Sequence, residues 1–245
     1  MSLVNTPERH PVHFPAKPDK FEFDGDVAEI FDAMALRSIP LYAEMHRLFA
    51  DMYAPRFRAG AVLCDVGSST GAFFAAVERR IGSPCREAGL TTYAIDTSTA
   101  MMGKLRTRFP AAHTIVGDVS VLPDLPQPAD VIACLYVLQF LKRDQRARAL
   151  DWLKRNLAPG GVLLLGQKEV PHWKHRKVFQ ETYYAFRRDN GYTQQEIDAK
   201  TAALQNAMWP VAQEELEHEL QERNMDYTET TRWMQFTSGV VTHRS

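Results

Sequence analysis

The sequence predicts an α/β fold built on a doubly wound, mostly parallel sheet of seven strands. Three observations carry this. Short apolar runs alternate with segments of helical period between residues 61 and 165. One of them, Ala61-Val62-Leu63-Cys64-Asp65-Val66, runs into Gly67-Ser68-Ser69-Thr70-Gly71 and then Ala72-Phe73-Phe74, which reads as strand, tight bend and helix start. Two β-branched stretches near the end, Tyr227 to Trp233 and Phe236 to Thr242, suit a hairpin added to one sheet edge.

In chain order, residues 1–20 mix Pro and His without a period and read as a flexible arm, leaving 21–245 as one domain. Ile30 and Met34, then Leu41, Met45, Leu48, Phe49 and Met52, take helical spacing, and Pro40 divides them into two helices of a cap over 21–58. Strand one is 61–66, with a helix over 71–81. Strand two is Thr91 to Ile95, followed by a helix from Ser98 to Arg108. Strand three is His113 to Val116, and strand four is Val131 to Leu135. A helix from Asp144 to Leu157 leads through the turn Ala158-Pro159-Gly160-Gly161 into strand five, Val162 to Leu165. Residues 167–207 read as a helical insertion. It holds a basic, aromatic helix from His172 to Asn190 and a second from Thr193 to Ala207, where Thr193 and Glu196 form a capping box. An acidic helix, Val211 to Arg223, precedes the hairpin.

The bulk numbers exclude more than they identify. Lys and Arg total 29 against 30 Asp and Glu, a formal net charge of −1, so nothing chain-wide demands nucleic acid or an anionic membrane. Cys64, Cys85 and Cys134 share no metal or disulfide spacing, which implies a reduced, cytoplasmic chain without a bound metal. No apolar run approaches the ~18 residues of a membrane span.

The bend after strand one is where such sheets hold nucleotides. Gly67 permits a turn too tight for a side chain, and Gly71 lets the helix start pack on the sheet. A pyrophosphate-binding bend needs glycine at its middle position, and here that position is Ser69. This favours S-adenosylmethionine, whose amino-acid part would lie on Gly67, Ser68, Ser69 and Gly71, with Asp65 accepting from its ammonium. Asp96 ends strand two, where a carboxylate can chelate both ribose hydroxyls, with Thr97 beside it. Asp118 is placed to accept from an adenine amino group, and the Val119 N–H to donate. Leu135 and Tyr136, past strand four, are pocket-wall candidates.

These motifs resemble class I S-adenosylmethionine-dependent methyltransferases, which have a Rossmann-like fold. A closer resemblance covers roughly residues 21–243. The phrases Val27-Ala28-Glu29-Ile30-Phe31, Arg37-Ser38-Ile39-Pro40 with Tyr42, Leu138-Gln139-Phe140-Leu141, Asn156-Leu157-Ala158-Pro159-Gly160-Gly161 and Asn190-Gly191-Tyr192 with Glu196-Ile197 are similar to those of bacterial carboxy-S-adenosylmethionine synthases. The resemblance implies use of prephenate to carboxylate the S-methyl group, a product destined for modification of the tRNA wobble uridine, a homodimer, and Tyr42 closing over the cofactor. It also exposes departures. The family's arginine that pairs with the new carboxylate follows the lysine of its second inserted helix, and the aligned position here is Thr201, following Lys200. The family's strand-four asparagine aligns with Leu135, and Ser68-Ser69-Thr70 replaces its Cys-Ser-Leu. A carboxylate in a dry pocket needs a cation, threonine supplies none, and a lysine at position 200 is expected to be solvated.

The leading expectation is therefore methyl transfer to an unidentified acceptor. Carboxylation of the cofactor and a non-catalytic cofactor-binding subunit stand as alternatives. A nicotinamide dehydrogenase is disfavoured by Ser69. Tyr42, Tyr136, His172 and His175 are candidates for a base, and no spacing singles one out. His172 to Lys177 with Arg187-Arg188 could form a basic face for an acidic acceptor such as RNA, although a solvated helix face is the plainer reading. Met208 and Trp209 are expected at a lid or subunit contact, away from the cofactor.

Overall fold

Two helices, α1 (Gly25–Ser38) and α2 (Tyr42–Met52), open the computed structural model, which describes residues 25–82 and 89–244. The arm over 1–20 and Cys85 lie outside the described residues. Pro40 separates the two helices as its fixed φ and missing N–H require. The alternating region follows: β1 (Val62–Val66), α3 (Ala72–Ile81), β2 (Thr91–Asp96), α4 (Thr99–Arg108), β3 (His113–Val116), β4 (Ala129–Leu135), α5 (Arg143–Asn156) and β5 (Leu157–Lys168). Then come α6 (Arg176–Asp189), α7 (Gln194–Gln205), α8 (Gln213–Gln221), β6 (Met225–Trp233) and β7 (Phe236–His243).

The seven strands lie in the order β3-β2-β1-β4-β5-β7-β6. The first five are parallel to one another, and β7 runs antiparallel between β5 and β6. Side chains alternate across the sheet with period two. Leu63, Ala133 and Leu164 face Phe49 of α2 and Phe73, Phe74 and Val77 of α3. Their neighbours Cys64, Cys134 and Leu165 face the opposite layer, built by Leu150 and Leu153 of α5 and Leu216 and Leu220 of α8. Polar contacts lock that second layer. The Trp152 indole donates to the Pro123 carbonyl at 2.9 Å. Buried Arg146 reaches from α5 to both oxygens of Glu219 on α8 at 2.9 Å each, so its charge is compensated rather than stranded.

Two elements differ most from expectation. Strand β5 begins at Leu157, not Val162, and reaches Lys168. Leu157 pairs with Ala129 and Val162 with Val131, so the Ala158–Gly161 turn is looped out inside the strand, with Gly160 at φ +72° making the bend. Turn residues were legible locally; the pairing on either side of them was not. Helix α6 begins at Arg176 rather than His172. Residues 172–175 form a turn instead, closed by His175 N to His172 O at 2.9 Å, and the His172 ring accepts from Lys174 N at 3.3 Å. A side chain that takes a nearby N–H competes with the helix for it. The Thr193–Glu196 capping box forms as expected.

Trp152 is 1 % exposed and fills the α5 layer. Trp152→Ala is expected to lower unfolding free energy by about 3–5 kcal/mol, read from urea midpoints at constant slope. A change under about 1 kcal/mol would show that this layer does not hold α5 to the sheet.

Candidate functional site

The strand order reverses at β1, with β2 on one side and β4 on the other. Loops leaving the carboxyl ends of those strands diverge there and open a crevice. A cavity of about 420 Å³ occupies it. Gly67 and Ser69 from the first bend, Asp96 and Thr97 at the tip of β2, Asp118 and Val119 after β3, and Leu135 and Tyr136 after β4 all line it. Helices α1 and α2 roof it, and Tyr42 is on the lining with its ring centroid 6.1 Å from that of Tyr136.

The bend is shaped by backbone demands. Gly67 sits at φ +71°, where a Cβ would collide with Val137, and Gly71 at φ +89°, where a Cβ would stand 2.6 Å from Phe109. Ser69 occupies the left-handed region at φ +50°, a conformation that costs a non-glycine residue of the order of 1 kcal/mol. Its N–H is repaid by donating to Asp96 Oδ2 at 2.9 Å, while Ser98 N donates to Asp96 Oδ1 at 2.8 Å. The Thr97 N–H also donates to this carboxylate; with about four acceptor sites, Asp96 keeps acceptor capacity towards the cavity.

Three residues of the expected site stand behind the wall rather than on it. Asp65 is 3 % exposed, on the sheet face that carries Leu63. Burial, and then the charge of Asp96, push its carboxyl well above the usual range. Ser68 Oγ donates to Asp65 O at 2.5 Å and accepts from Ile95 N at 2.9 Å, which pins the bend to β2. Gly71 packs towards Phe109. None of the three lines the cavity.

The opposite end of the cavity is cationic. Lys200, expected in solvent, is 5 % exposed and lines the cavity, its Nζ donating to Ser38 Oγ at 2.8 Å. Amphipathic packing explains this: α7 buries Ile197, Lys200 and Ala203 on one stripe. The neighbouring Thr201 does not line the cavity, and its hydroxyl bonds back to Ile197 O at 2.7 Å. Lys168, at the end of β5, also lines it, with Nζ 4.9 Å from the Tyr183 ring centroid and 5.7 Å from that of Phe236. Burial and then Arg187 push the Lys168 ammonium down to about 8. Lys200 is pushed well down by burial, then by Arg187, Lys168 and Arg37.

Arg187 does not belong to an exposed basic face. It is 3 % exposed, stacked 4.7 Å from the Tyr192 ring centroid and 5.7 Å from that of Tyr183. Its Nε and Nη2 have no hydrogen-bond partner among the described residues. Sequence reasoning passed over Lys168 and Arg187 as members of this site. The available signals were a lysine closing an apolar strand at the crevice edge and an arginine among Tyr183, Phe186 and Tyr192.

Of the candidate bases, His172 and His175 are exposed and do not line the cavity. Tyr42 and Tyr136 line it, but burial raises both hydroxyls far above neutrality, so neither accepts a proton as phenolate. Met208, expected at a lid or subunit contact, lines the cavity, whereas Trp209 stays 39 % exposed and off it. No cluster of three or more potential metal ligands occurs among the described residues.

Comparison with known proteins agrees with this architecture. A methyltransferase domain family model matches residues 63–161. The carboxy-S-adenosyl-L-methionine synthase of Wolinella succinogenes is 35% identical over 231 residues, covering 91% of this chain and 93% of the relative. The synthase of the same name from Desulfotalea psychrophila is 31% identical, covering 91% and 92%. Among solved structures, an S-adenosylmethionine-dependent methyltransferase from Clostridium acetobutylicum superposes with a TM-score of 0.62 at 12% identity, covering 89% of this chain and 98% of that one. Human N-acetylserotonin methyltransferase, solved with S-adenosylmethionine, gives 0.58 at 15% identity, covering 90% and 56%. The chain belongs to the family of the carboxy-S-adenosyl-L-methionine synthases, S-adenosylmethionine-dependent transferases by fold and by relationship.

Asp96→Asn keeps the shape and removes the charge. It is expected to weaken S-adenosylhomocysteine binding by about tenfold to a hundredfold, measured by calorimetry. Unchanged affinity would remove Asp96 from ribose recognition.

Proposed function

We propose that this protein binds S-adenosylmethionine in the cavity and carboxylates its S-methyl group, the activity for which its relatives are named. One observation carries the choice of carboxylation over methyl transfer: Lys200 turns into the cavity and meets the requirement that Thr201 does not. When bound, the cofactor supplies a sulfonium whose S-methyl carbon is the reacting centre.

The chain's own residues then divide the work. Asp96 holds the ribose, Asp118 and the Val119 N–H hold the adenine edge, and the Gly67–Gly71 bend carries the amino-acid part, with the Asp65 charge behind it. Those carboxylates suit a ligand carrying sulfonium and ammonium charge. Tyr42 and Tyr136 cover the site as neutral phenols and keep water out. Carboxylation would break one C–H bond of the S-methyl group and form one C–C bond to a carboxyl carbon given up by prephenate; as that carboxyl leaves the prephenate ring, the ring hydroxyl departs with the methyl proton as water, and the product carries a new negative charge beside the sulfonium. Lys200 stands to neutralise that charge, which would otherwise be stranded in a medium of low dielectric. Prephenate as the carboxyl source, a homodimer and a link to tRNA modification enter this proposal on the family resemblance.

Methyl transfer remains the second reading, favoured by Leu135 on the cavity wall where the family resemblance calls for asparagine. Mass spectrometry of ligand released from freshly purified protein separates the two. A ligand heavier than S-adenosylmethionine by a carboxyl group is the expected result, and its formation from S-adenosylmethionine and prephenate completes the test. S-adenosylmethionine alone, unaltered by prephenate, would turn the assignment to methyl transfer. Lys200→Met is expected to weaken the carboxylated cofactor by about a hundredfold or more and leave S-adenosylhomocysteine nearly unaffected. Equal losses for both ligands would refute the role given to Lys200.

A further inference from the structure

The geometry points to a second ligand subsite at the lysine end of the cavity. It is built by Lys168 with Arg187 behind it, and it takes the carboxylate of a second reactant with uptake of a proton. Carboxylates reach the cavity lining at Asp96 and Asp118, on the bends after β2 and β3, and S-adenosylmethionine occupies that end if the function proposed above holds. The end formed by β5, α6 and α7 presents cations instead.

Among the described residues, the groups placed around Lys168 are neutral or positive. Tyr183 and Arg187 come from α6, Lys200 from α7, Tyr136 from the loop after β4, and Phe236 from β7. Arg37 of α1 is turned to the carbonyls of Asn190 and Gly191 at 2.6 Å each. Tyr42 of α2 is a neutral phenol. The one carboxylate adjacent in sequence, Glu169, bonds to Arg232. No ion pair joins Lys168 or Arg187 to a carboxylate among the described residues. Among the described residues, two buried nitrogens of Arg187 have no hydrogen-bond partner, and its guanidinium leans on two aromatic rings.

Burying a cation beside other cations without an anion is costly. A lysine can meet that cost by shedding its proton, whereas arginine cannot. Lys168, pushed down to about 8 by burial and then by Arg187, loses its proton as pH rises. An arriving carboxylate reverses this: it enters as an anion, one proton is taken from solvent onto Lys168 Nζ, and an ammonium–carboxylate pair results. Lys168 has its folded-state value depressed and its anion-bound value raised. Binding is thus undemanding below pH 8, where the ammonium is already present, and falls by up to about tenfold per pH unit above it. Lys200 is shifted in the same direction and adds to the effect.

The test uses full-length protein loaded with S-adenosylhomocysteine and titrated with malonate by calorimetry at pH 8.5, in two buffers of different ionisation enthalpy. Malonate is expected to bind with net proton uptake and to bind more weakly at pH 9.5 than at pH 7.5. Lys168→Met should raise the malonate Kd tenfold or more. Lys168→Arg, a permanent cation, should retain binding and lose the share of uptake that belongs to Lys168. Arg187→Met should weaken malonate binding as well. Binding without proton exchange, affinity unchanged in Lys168→Met, or uptake unchanged in Lys168→Arg would overturn the subsite. Absence of malonate binding while S-adenosylhomocysteine binds normally would overturn it too, with the cofactor assignment intact. Failure of S-adenosylhomocysteine to bind wild-type protein would overturn both.

Discussion

A buried cavity that carries carboxylates at one end and ammonium groups at the other is the constraint around which this molecule is arranged. Charges of one sign, held close in low dielectric, are unfavourable until something of the opposite sign arrives. Asp65 and Asp96 are both pushed up by burial, and Lys168 and Lys200 are both pushed down. Each end thus concentrates charge of one sign in a low-dielectric setting. A ligand set carrying a sulfonium and ammonium at one end and carboxylates at the other offsets both at once.

That polarity also explains how the helices are tied together. The Tyr183 hydroxyl donates to Ser38 O at 2.9 Å, the Ser38 hydroxyl meets Tyr192 OH at 2.9 Å, and Lys200 donates to the same Ser38 hydroxyl. One serine at the end of α1 thereby joins the N-terminal cap to both helices of the insertion. Aromatic faces add to these ties: Arg37 and Arg187 both stack on the Tyr192 ring, at 4.5 and 4.7 Å from its centroid. The insertion is no ornament on the sheet, because without α6 and α7 the cationic wall would not exist.

Against the family pattern, the chain keeps the lysine of the second inserted helix as Lys200 but carries Thr201 where the resemblance implies an arginine after it. Adjacent residues on a helix point about 100° apart, so only one of the two can face the cavity, and here it is Lys200. A lysine offers one compact, titratable charge in place of a rigid bidentate fork. The consequence is a weaker geometric grip on a carboxylate and a stronger dependence on protonation, consistent with the depressed ammonium groups along this wall.

The sheet, its two helical layers, the edge hairpin and the glycine-bounded bend after β1 were legible in the chain itself, because alternation, glycine spacing and strand-end acids are local patterns. Asp96, Thr97, Asp118, Val119 and Tyr136 each follow a strand, and residues after parallel strands converge at one edge whatever their partners are. Other features were settled only by packing. Asp65, Ser68 and Gly71 withdrew behind the wall because a bend this tight turns some of its residues inward to the sheet. The looped-out turn in β5 depended on which strand lay beside it. The inward turn of Lys200 and the approach of Lys168 to Arg187, nineteen positions along the chain, belong to tertiary structure alone. Charge repulsion between residues distant in sequence leaves no periodic trace; it exists only once the fold has brought them to the same cavity.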